Sequence, residues 1–392
     1  MMQKMQENIN ELKTEVDIVE ERKKREEYLR KINAPLLTWY DQHARILPWR
    51  ENPTPYRVWI SEIMLQQTRV EAVKPYYERF MNALPDVKAL AGVDDEKLLK
   101  LWEGLGYYNR ARNLKKAAQV VMEEYQGELP ASYEELLKLP GIGSYTAGAV
   151  ASIAYGLPVP AVDGNVLRVI SRVLASYEDV LKQSVKKAME NILLQTMPAD
   201  RAGAYNQALM EIGAMVCVPN GQAKCEECPL HALCKASAQG IEMELPKKTP
   251  KKKRTIENKT VLILKSADKV AIRKRAEKGL LAGLYEFPNL EEHLSEEEIL
   301  EYVKQQGFSP IRIQRLDDVK HIFTHREWHM SGYAVKIEEL EEPQELEAKQ
   351  NNFLFIEPSE TEEKYPIPSA FSGFTKHMAI RLGNEKFQKE TD

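Results

Sequence analysis

The sequence predicts a multidomain chain: a mostly helical part followed by a smaller α+β domain. Three observations carry that division. Through residues 34–238 apolar side chains recur at helical spacing, as at Val58, Ile63, Val70, Val73 and Tyr77. A proline-containing basic run, Pro246-Lys247-Lys248-Thr249-Pro250-Lys251-Lys252-Lys253-Arg254, then changes the composition. Beyond it, short apolar stretches at 260–265, 270–273, 319–323 and 332–337 have strand character, with one helix expected over 296–306. A length of 392 residues accommodates two or three domains, at roughly 100–200 residues each.

Taken in order, residues 1–33 mix Lys/Arg with Glu/Asp and place Ile9, Leu12, Val16 and Val19 at helix-like spacing. They read as a solvated, helical extension. The helical domain is expected over 34–245, with helices over 134–139, 144–155 and 165–175, and turns at Pro140-Gly141, Gly156 and Gly164. Residues 246–258 are expected to form a basic linker, and 259–392 the α+β domain.

Composition excludes several classes. With 43% hydrophobic and 29% charged residues the chain is neither wholly disordered nor collagenous. Its net charge of −4 means that nucleic-acid binding must come from local patches. The longest nearly apolar run, Ala147 to Val162, is short for a membrane span and contains Gly156, Pro158 and Pro160. No apolar signal segment opens the chain, so a cytoplasmic protein without membrane contact is expected.

All four cysteines, Cys217, Cys225, Cys228 and Cys234, fall in one short segment, separated by seven, two and five residues. Clustering of this kind points to one local metal site in a reducing compartment. A four-thiolate zinc site usually has two C-x-x-C knuckles, and this chain has one. The uneven spacing favours a [4Fe–4S] cluster, whose corners are farther apart than the ligands of one zinc; zinc and unligated thiols remain the alternatives.

Leu139-Pro140-Gly141-Ile142-Gly143-Ser144-Tyr145-Thr146-Ala147 joins two helical segments. Gly141 and Gly143 permit a tight turn with close backbone approach, and the amides opening the next helix form an anion site suited to a phosphate. A plain helical hairpin turn is the alternative. Asp163 precedes Gly164-Asn165 and reads either as a helix cap or as a catalytic carboxylate. Glu62 lies among Trp59, Ile60, Ile63, Met64 and Leu65, with Gln66 and Arg69 on its own face, so it is either part of a polar stripe or a functional acid.

The L-P-G-I-G turn, then Val162-Asp163-Gly164-Asn165-Val166, then the four cysteines, resemble the helix–hairpin–helix DNA glycosylases of the endonuclease III superfamily. Within it, the segments 59–68 and Gly104-Leu105-Gly106-Tyr107-Tyr108 are similar to the adenine DNA glycosylases of the MutY family. The resemblance covers roughly residues 34–380, in the family's order. It implies excision of adenine mispaired with 8-oxoguanine or guanine in double-stranded DNA by a monomeric enzyme. It implies that Glu62 protonates the departing adenine and later assists water, that Asp163 stabilises the sugar cation, and that Asn165 and Tyr145 orient them. Arg50, Gln207 and Trp49 look like adenine-pocket residues. Leu65, Gln67 and Tyr107 look like the wedge that fills the gap of a flipped base, with Gly141, Gly143 and Thr146 at the DNA backbone. Related bifunctional enzymes carry a Lys where this chain has Tyr145. A phenol cannot form a Schiff base, so a monofunctional enzyme is implied.

The C-terminal part resembles a Nudix-fold, MutT-like domain beginning near 281–288. The pyrophosphatase signature is missing, since Glu296, Glu297 and Glu298 lack its Arg and spacing. A recognition module is implied, with Phe323, Thr324 and His325 at the loop that senses 8-oxoguanine. One departure concerns the first cysteine gap, seven residues where six are expected, which should bulge the loop near Asn220-Gly221. Competing readings are an endonuclease III-like glycosylase–lyase, disfavoured by Tyr145; a DNA-binding pyrophosphatase, disfavoured by the missing signature; and a non-catalytic iron–sulfur protein, disfavoured by the pairing of Glu62 with Asp163.

Overall fold

The computed structural model describes residues 19–250, 253–378 and 380–383. The expected helical positions Ile9, Leu12 and Val16 lie outside them; residues 19–30 are helical, with Val19 exposed. The chain divides into two compact units that are not consecutive in sequence. One gathers the described residues up to Gln67, Asp86–Lys88 and Lys116–Pro250; the other gathers Thr68–Pro85, Ala89–Lys115 and the described residues from 253 onward.

The first unit is helical. Five of its helices position the site: α1 (Pro48–Glu51), α2 (Pro55–Leu65), α3 (Ser144–Ala149), α4 (Gly164–Leu174) and α5 (Ala202–Met215). Thr54 caps α2 by accepting the Arg57 amide at 3.4 Å, with Pro55 in the first turn, where its missing N–H costs nothing. Eight of the eleven α2 residues are buried, Glu62 among them. Burial of Ile60, Ile63 and Met64 contributes roughly 1.5–3 kcal/mol each, enough to offset burying one uncharged carboxyl beside them. The apolar face of α4, Val166, Val169, Ile170 and Val173, packs with Leu29, Ile32 and Leu36 and with Tyr205, Leu209 and Ile212 of α5.

The helix expected over 144–155 is α-helical only to Ala149 and continues as a π-helix over Val150–Ala154. There the Ser152 hydroxyl donates back to the Gly148 carbonyl at 2.7 Å and accepts Asn206 Nδ2, 54 residues away in sequence, at 2.8 Å. The helix expected over 134–139 is shorter, Tyr133–Leu136, and tightens into the Pro140-Gly141 turn.

The second unit is built on a sheet of strands β1 (Thr255–Ser266), β2 (Lys269–Lys274), β3 (Tyr285–Glu286), β4 (Asn289–Glu291), β5 (Pro310–Ile322), β6 (Arg326–Ile337) and β7 (Leu354–Ile356). The order is β3-β2-β1-β6-β5, with β4 on β1 and β7 on β2. β1 runs parallel to β6, with Val261 opposite Gly332. Alternation along β1 sends Val261 and Ile263 to a face with Phe287, Trp328, Phe371 and Phe374, and Leu262 and Leu264 to a face with Ile299, Val303 and Phe308. Both faces are covered, so β1 reads as a continuous apolar run. It begins at Thr255, inside the stretch 246–258 that reads as linker. The helix expected over 296–306 forms at Glu296–Gln305 behind a capping box of Ser295 and Glu298. Residues 68–85 and 89–115 pack in this unit too. Both oxygens of buried Glu103 accept the Lys100 ammonium at 2.9 Å, and Oε1 also accepts the Ile367 amide at 2.9 Å. Among the described residues no helix is long and apolar enough to cross a membrane.

Candidate active site

The first unit brings Glu62, Tyr145, Asp163 and Asn165 together. Glu62 is 5% exposed on α2, and the Tyr145 hydroxyl on α3 donates to its Oε2. The same phenol lies 3.6 Å from Met210 Sδ on α5. Burial pushes the Glu62 carboxyl up to about 7; the Tyr145 bond pulls it down, the charge of Asp163 pushes it up, and Arg50 pulls it down. Tyr145 is itself driven well above an ordinary phenol by burial and by the two carboxylates, so it stays a proton donor.

Asp163 is half-buried and serves α4 as its N-cap, accepting the Val166 amide on Oδ1 at 2.8 Å. Its Oδ2 accepts Asn165 Nδ2 at 2.7 Å. The capping reading is thus met by one oxygen, and the other is held by Asn165. Burial raises the Asp163 carboxyl, while the Val166 and Asn165 donors and the Arg168 charge oppose that. Glu62 has two such helpers, the Tyr145 bond and the Arg50 charge, and a neighbouring Asp163 charge against it; Asp163 has three, so Asp163 is the better placed of the two to carry charge.

Arg168 was not singled out by the sequence. It donates to Asn165 Oδ1 at 2.9 Å, to the Gly213 carbonyl at 2.7 Å and, through Nε, to the Cys217 carbonyl at 2.7 Å. A continuous hydrogen-bonded chain thus joins the cysteine loop to Asp163. Gly213 is required for that approach, because a Cβ there would stand 2.6 Å from Asn165 Cβ. The sequence signal for Arg168 was its place three residues after Asn165, on the polar side of α4.

Of the expected pocket residues, Arg50 and Gln207 are half-buried, and Trp49 is buried at 5% exposure. Arg50 Nη2 donates to Glu211 Oε2 at 2.9 Å, and Glu211 also grips Arg45. Arg45 and Glu211 were both missed; the available signal was that Glu211 follows Gln207 by one helical turn. Burial would raise the Glu211 carboxyl, but Arg45 and Arg50 outweigh it and hold it down to about 2.

At the hairpin, Leu139 and Ile142 are buried, while Gly141, with φ +77°, and Gly143 are exposed. The Thr146 side chain is turned into the core at 1% exposure, with Gln66 Nε2 3.4 Å from its hydroxyl. The half-buried Ser144 donates its hydroxyl to Glu190 Oε1 at 2.8 Å. Leu65 ends α2 half-buried, and Gln67 is exposed with φ +59°.

In the second unit, Tyr107 is exposed with φ +48°. Left-handed backbone at a non-glycine residue is costly and concentrates at functional positions. Its hydroxyl lies 2.9 Å from that of Thr324. Phe323, Thr324 and His325 form the tip between β5 and β6, closed by the Phe323 amide on the Arg326 carbonyl at 2.9 Å. Phe323 packs edge-on against Trp328, and Thr324 and His325 are exposed.

The four cysteines, all half-buried, line one small cavity with Arg172, His231 and Glu242. Arg172 Nη1 approaches Cys217 Sγ at 3.1 Å, backbone amides of Ala236 and Ser237 face Cys234, and that of Leu230 faces Cys228. The seven-residue first gap forms a loop with Gly221 at φ +77°, closed by the Lys224 amide on the Val216 carbonyl. Among the described residues no three His, Cys, Asp or Glu side chains are placed as ligands of a single ion.

Fold and site define a DNA base-excision protein with an appended Nudix domain. The HhH-GPD superfamily of base excision DNA repair proteins matches residues 60–195, and the NUDIX domain family matches residues 260–377. The adenine DNA glycosylase of Mus musculus is 34% identical over 362 residues, covering 78% of this chain and 70% of its own. That of Buchnera aphidicola (subsp. Acyrthosiphon pisum, strain APS) is 33% identical over 303 residues, covering 77% and 85%. A thermostable thymine-DNA glycosylase structure is 30% identical and covers 54% of this chain and 97% of its own, with a TM-score of 0.49. The chain belongs to the adenine DNA glycosylase family.

Proposed function

We propose that this glycosylase removes adenine mispaired with 8-oxoguanine or guanine from duplex DNA, hydrolysing the N-glycosidic bond and leaving an abasic site. The observation that carries the reading is Glu62, a buried carboxyl with its proton held to about pH 7, set against Tyr145 and Asp163. An adenine anion is a poor leaving group. Glu62 delivers its proton to the imidazole-ring nitrogen of adenine as the bond to the sugar breaks. The positive charge that develops on the sugar faces Asp163, oriented by Asn165 and stabilised as an anion by the Val166 amide. Water then adds to the anomeric carbon, and its proton returns to Glu62. Tyr145 supplies no amine, so the product is an abasic site and not a Schiff base.

The target base must leave the helix to reach this site. Leu65, Gln67 and Tyr107 fill the gap, Arg50 and Gln207 read the flipped adenine beside Trp49, and the exposed amides at Gly141 and Gly143 hold a phosphate. Phe323, Thr324 and His325 read the opposite base. Cys217, Cys225, Cys228 and Cys234 would hold a [4Fe–4S] cluster; the amides and Arg172 directed at the sulfurs suit an anionic group. When bound, the cluster would keep the cysteine loop flanked by Lys224 and Lys235 in shape against DNA and take no part in bond cleavage. The enzyme acts as a monomer.

Incubation with duplexes carrying A:8-oxoguanine, A:G, A:C or thymine glycol, followed by alkali, tests the reading. Strand breaks at adenine opposite 8-oxoguanine and guanine, appearing only after alkali, are expected. Cleavage at thymine glycol without alkali would instead identify a glycosylase–lyase.

A further inference from the structure

Glu211 is a buried carboxylate to which the chemistry above gives no task. Its side chain is 2% exposed, and both oxygens are saturated by cationic and backbone donors. Oε1 accepts the Arg45 amide at 3.1 Å and Arg45 Nε at 2.6 Å; Oε2 accepts Arg45 Nη2 at 3.0 Å and Arg50 Nη2 at 2.9 Å. Arg50 is further fixed by donating from Nη1 to the Arg45 carbonyl at 3.1 Å. The same helix places Met210 on the Tyr145 phenol that bonds Glu62, and the charge of Arg50 reaches the acid.

We propose that Glu211 is a positioning residue that neutralises Arg45 and Arg50 behind Glu62, so that the acid keeps its proton while both guanidiniums stay fixed at the wall of the adenine pocket. Two arginines and one glutamate leave a net charge of +1 there; without Glu211 the charge is +2. Without the Glu211 charge beside it, Arg50 acts more strongly on Glu62 and favours its ionised, inactive form. The groups facing Glu62 are Tyr145 on α3, Asp163 at the start of α4 and Arg50 on α1. Arg45 and Glu211 stand behind Arg50, and Arg168 behind Asp163. Substituting Glu211 or Arg45 changes the charge on the arginine side at a residue with no hydrogen bond to Glu62, Tyr145 or Asp163 in the contacts given above.

The inference rests on Glu62 being the acid, and the experiment separates the two. Single-turnover excision of A:8-oxoguanine at saturating enzyme is followed from pH 5 to 9. The wild-type rate should fall as pH rises through about 7. In Glu211→Gln that limb should move to lower pH by about one unit, so that loss at pH 8 far exceeds loss at pH 5.5. In Glu211→Asp, which keeps the charge, the limb should stay in place. Arg45→Met removes a cation instead and should move the limb to higher pH. It carries the test alone should Glu211→Gln fail to fold. A folded Glu211→Gln or Arg45→Met whose limb does not move overturns the proposal and leaves Glu211 a structural ion pair. A wild-type profile without the limb overturns the assignment of Glu62 itself.

Discussion

The hydroxyls of Tyr107 and Thr324 lie 2.9 Å apart, although 217 residues separate them in sequence. One belongs to a residue resembling the family's wedge, the other to the loop that reads the opposite base. Filling the gap and sensing the lesion would therefore be done by two side chains in contact. Removing either hydroxyl, by Tyr107→Phe or Thr324→Val, should lower the ratio of A:8-oxoguanine to A:G excision by about three- to tenfold, the worth of one such bond. Thr324 and His325 together replaced by alanine should lower it further. Deleting everything after Thr249 would also strip Ile367 and Tyr365 from the buried Lys100–Glu103 pair, so point substitutions isolate the contact. Unchanged ratios would mean that the lesion is read elsewhere.

Glu62→Gln should abolish excision in single-turnover assays while DNA binding stays within about tenfold, or roughly 1.4 kcal/mol. The amide keeps the shape and removes the proton. Asp163→Asn should also lose excision, because a neutral amide cannot stabilise a developing cation. A Glu62→Gln enzyme with near wild-type rate would rule out its role as acid.

Gly213→Ala should destabilise the helical unit by roughly 1–3 kcal/mol, since a new methyl would stand 2.6 Å from Asn165 Cβ. Any relaxation moves α5 away from Asn165 or Asn165 away from Asp163. Excision should fall more than DNA affinity does. Thermal unfolding and single-turnover rates on one preparation check both halves.

Acid stability should depend on Glu211. Its carboxyl is held to about 2 in the folded chain against an ordinary 4.5, so its contribution is present above pH 4.5 and is lost as pH falls toward 2. The amount is on the order of 3 kcal/mol. Urea unfolding of the wild type and Glu211→Gln should differ most near pH 6 and converge near pH 2; curves that stay parallel would contradict this.

The purified protein should be brown and contain about four irons per chain. Cys225→Ala should lose iron and DNA affinity together. Metal analysis giving one zinc and no iron would replace the cluster with a zinc site.

Much of the fold was legible because its signals are local. The Asp163-Gly164-Asn165 start of α4 is capping chemistry that any chain would use, and the Ser295/Glu298 capping box sets the start of the Glu296–Gln305 helix. The hairpin glycines announced a turn, and Gly141 adopts the left-handed backbone a turn needs. The π-helix at Val150–Ala154 was not legible, because its cause, Asn206 reaching Ser152, comes from 54 residues away.

By itself the sequence determined which groups were available: two carboxylates, a phenol in place of a lysine, two turn glycines and four clustered cysteines. It also determined the helical and strand periods that divide the chain. Tertiary structure alone decided what those groups face. It buried Glu62 and so raised its carboxyl, against the pull of the Tyr145 bond, and it set Glu211 against two arginines and so lowered its own. It also joined residues 68–85 and 89–115 to the C-terminal sheet. Proton affinity depends on desolvation and on charges within a few ångströms, and those neighbours come from distant parts of the chain, where no local pattern records them.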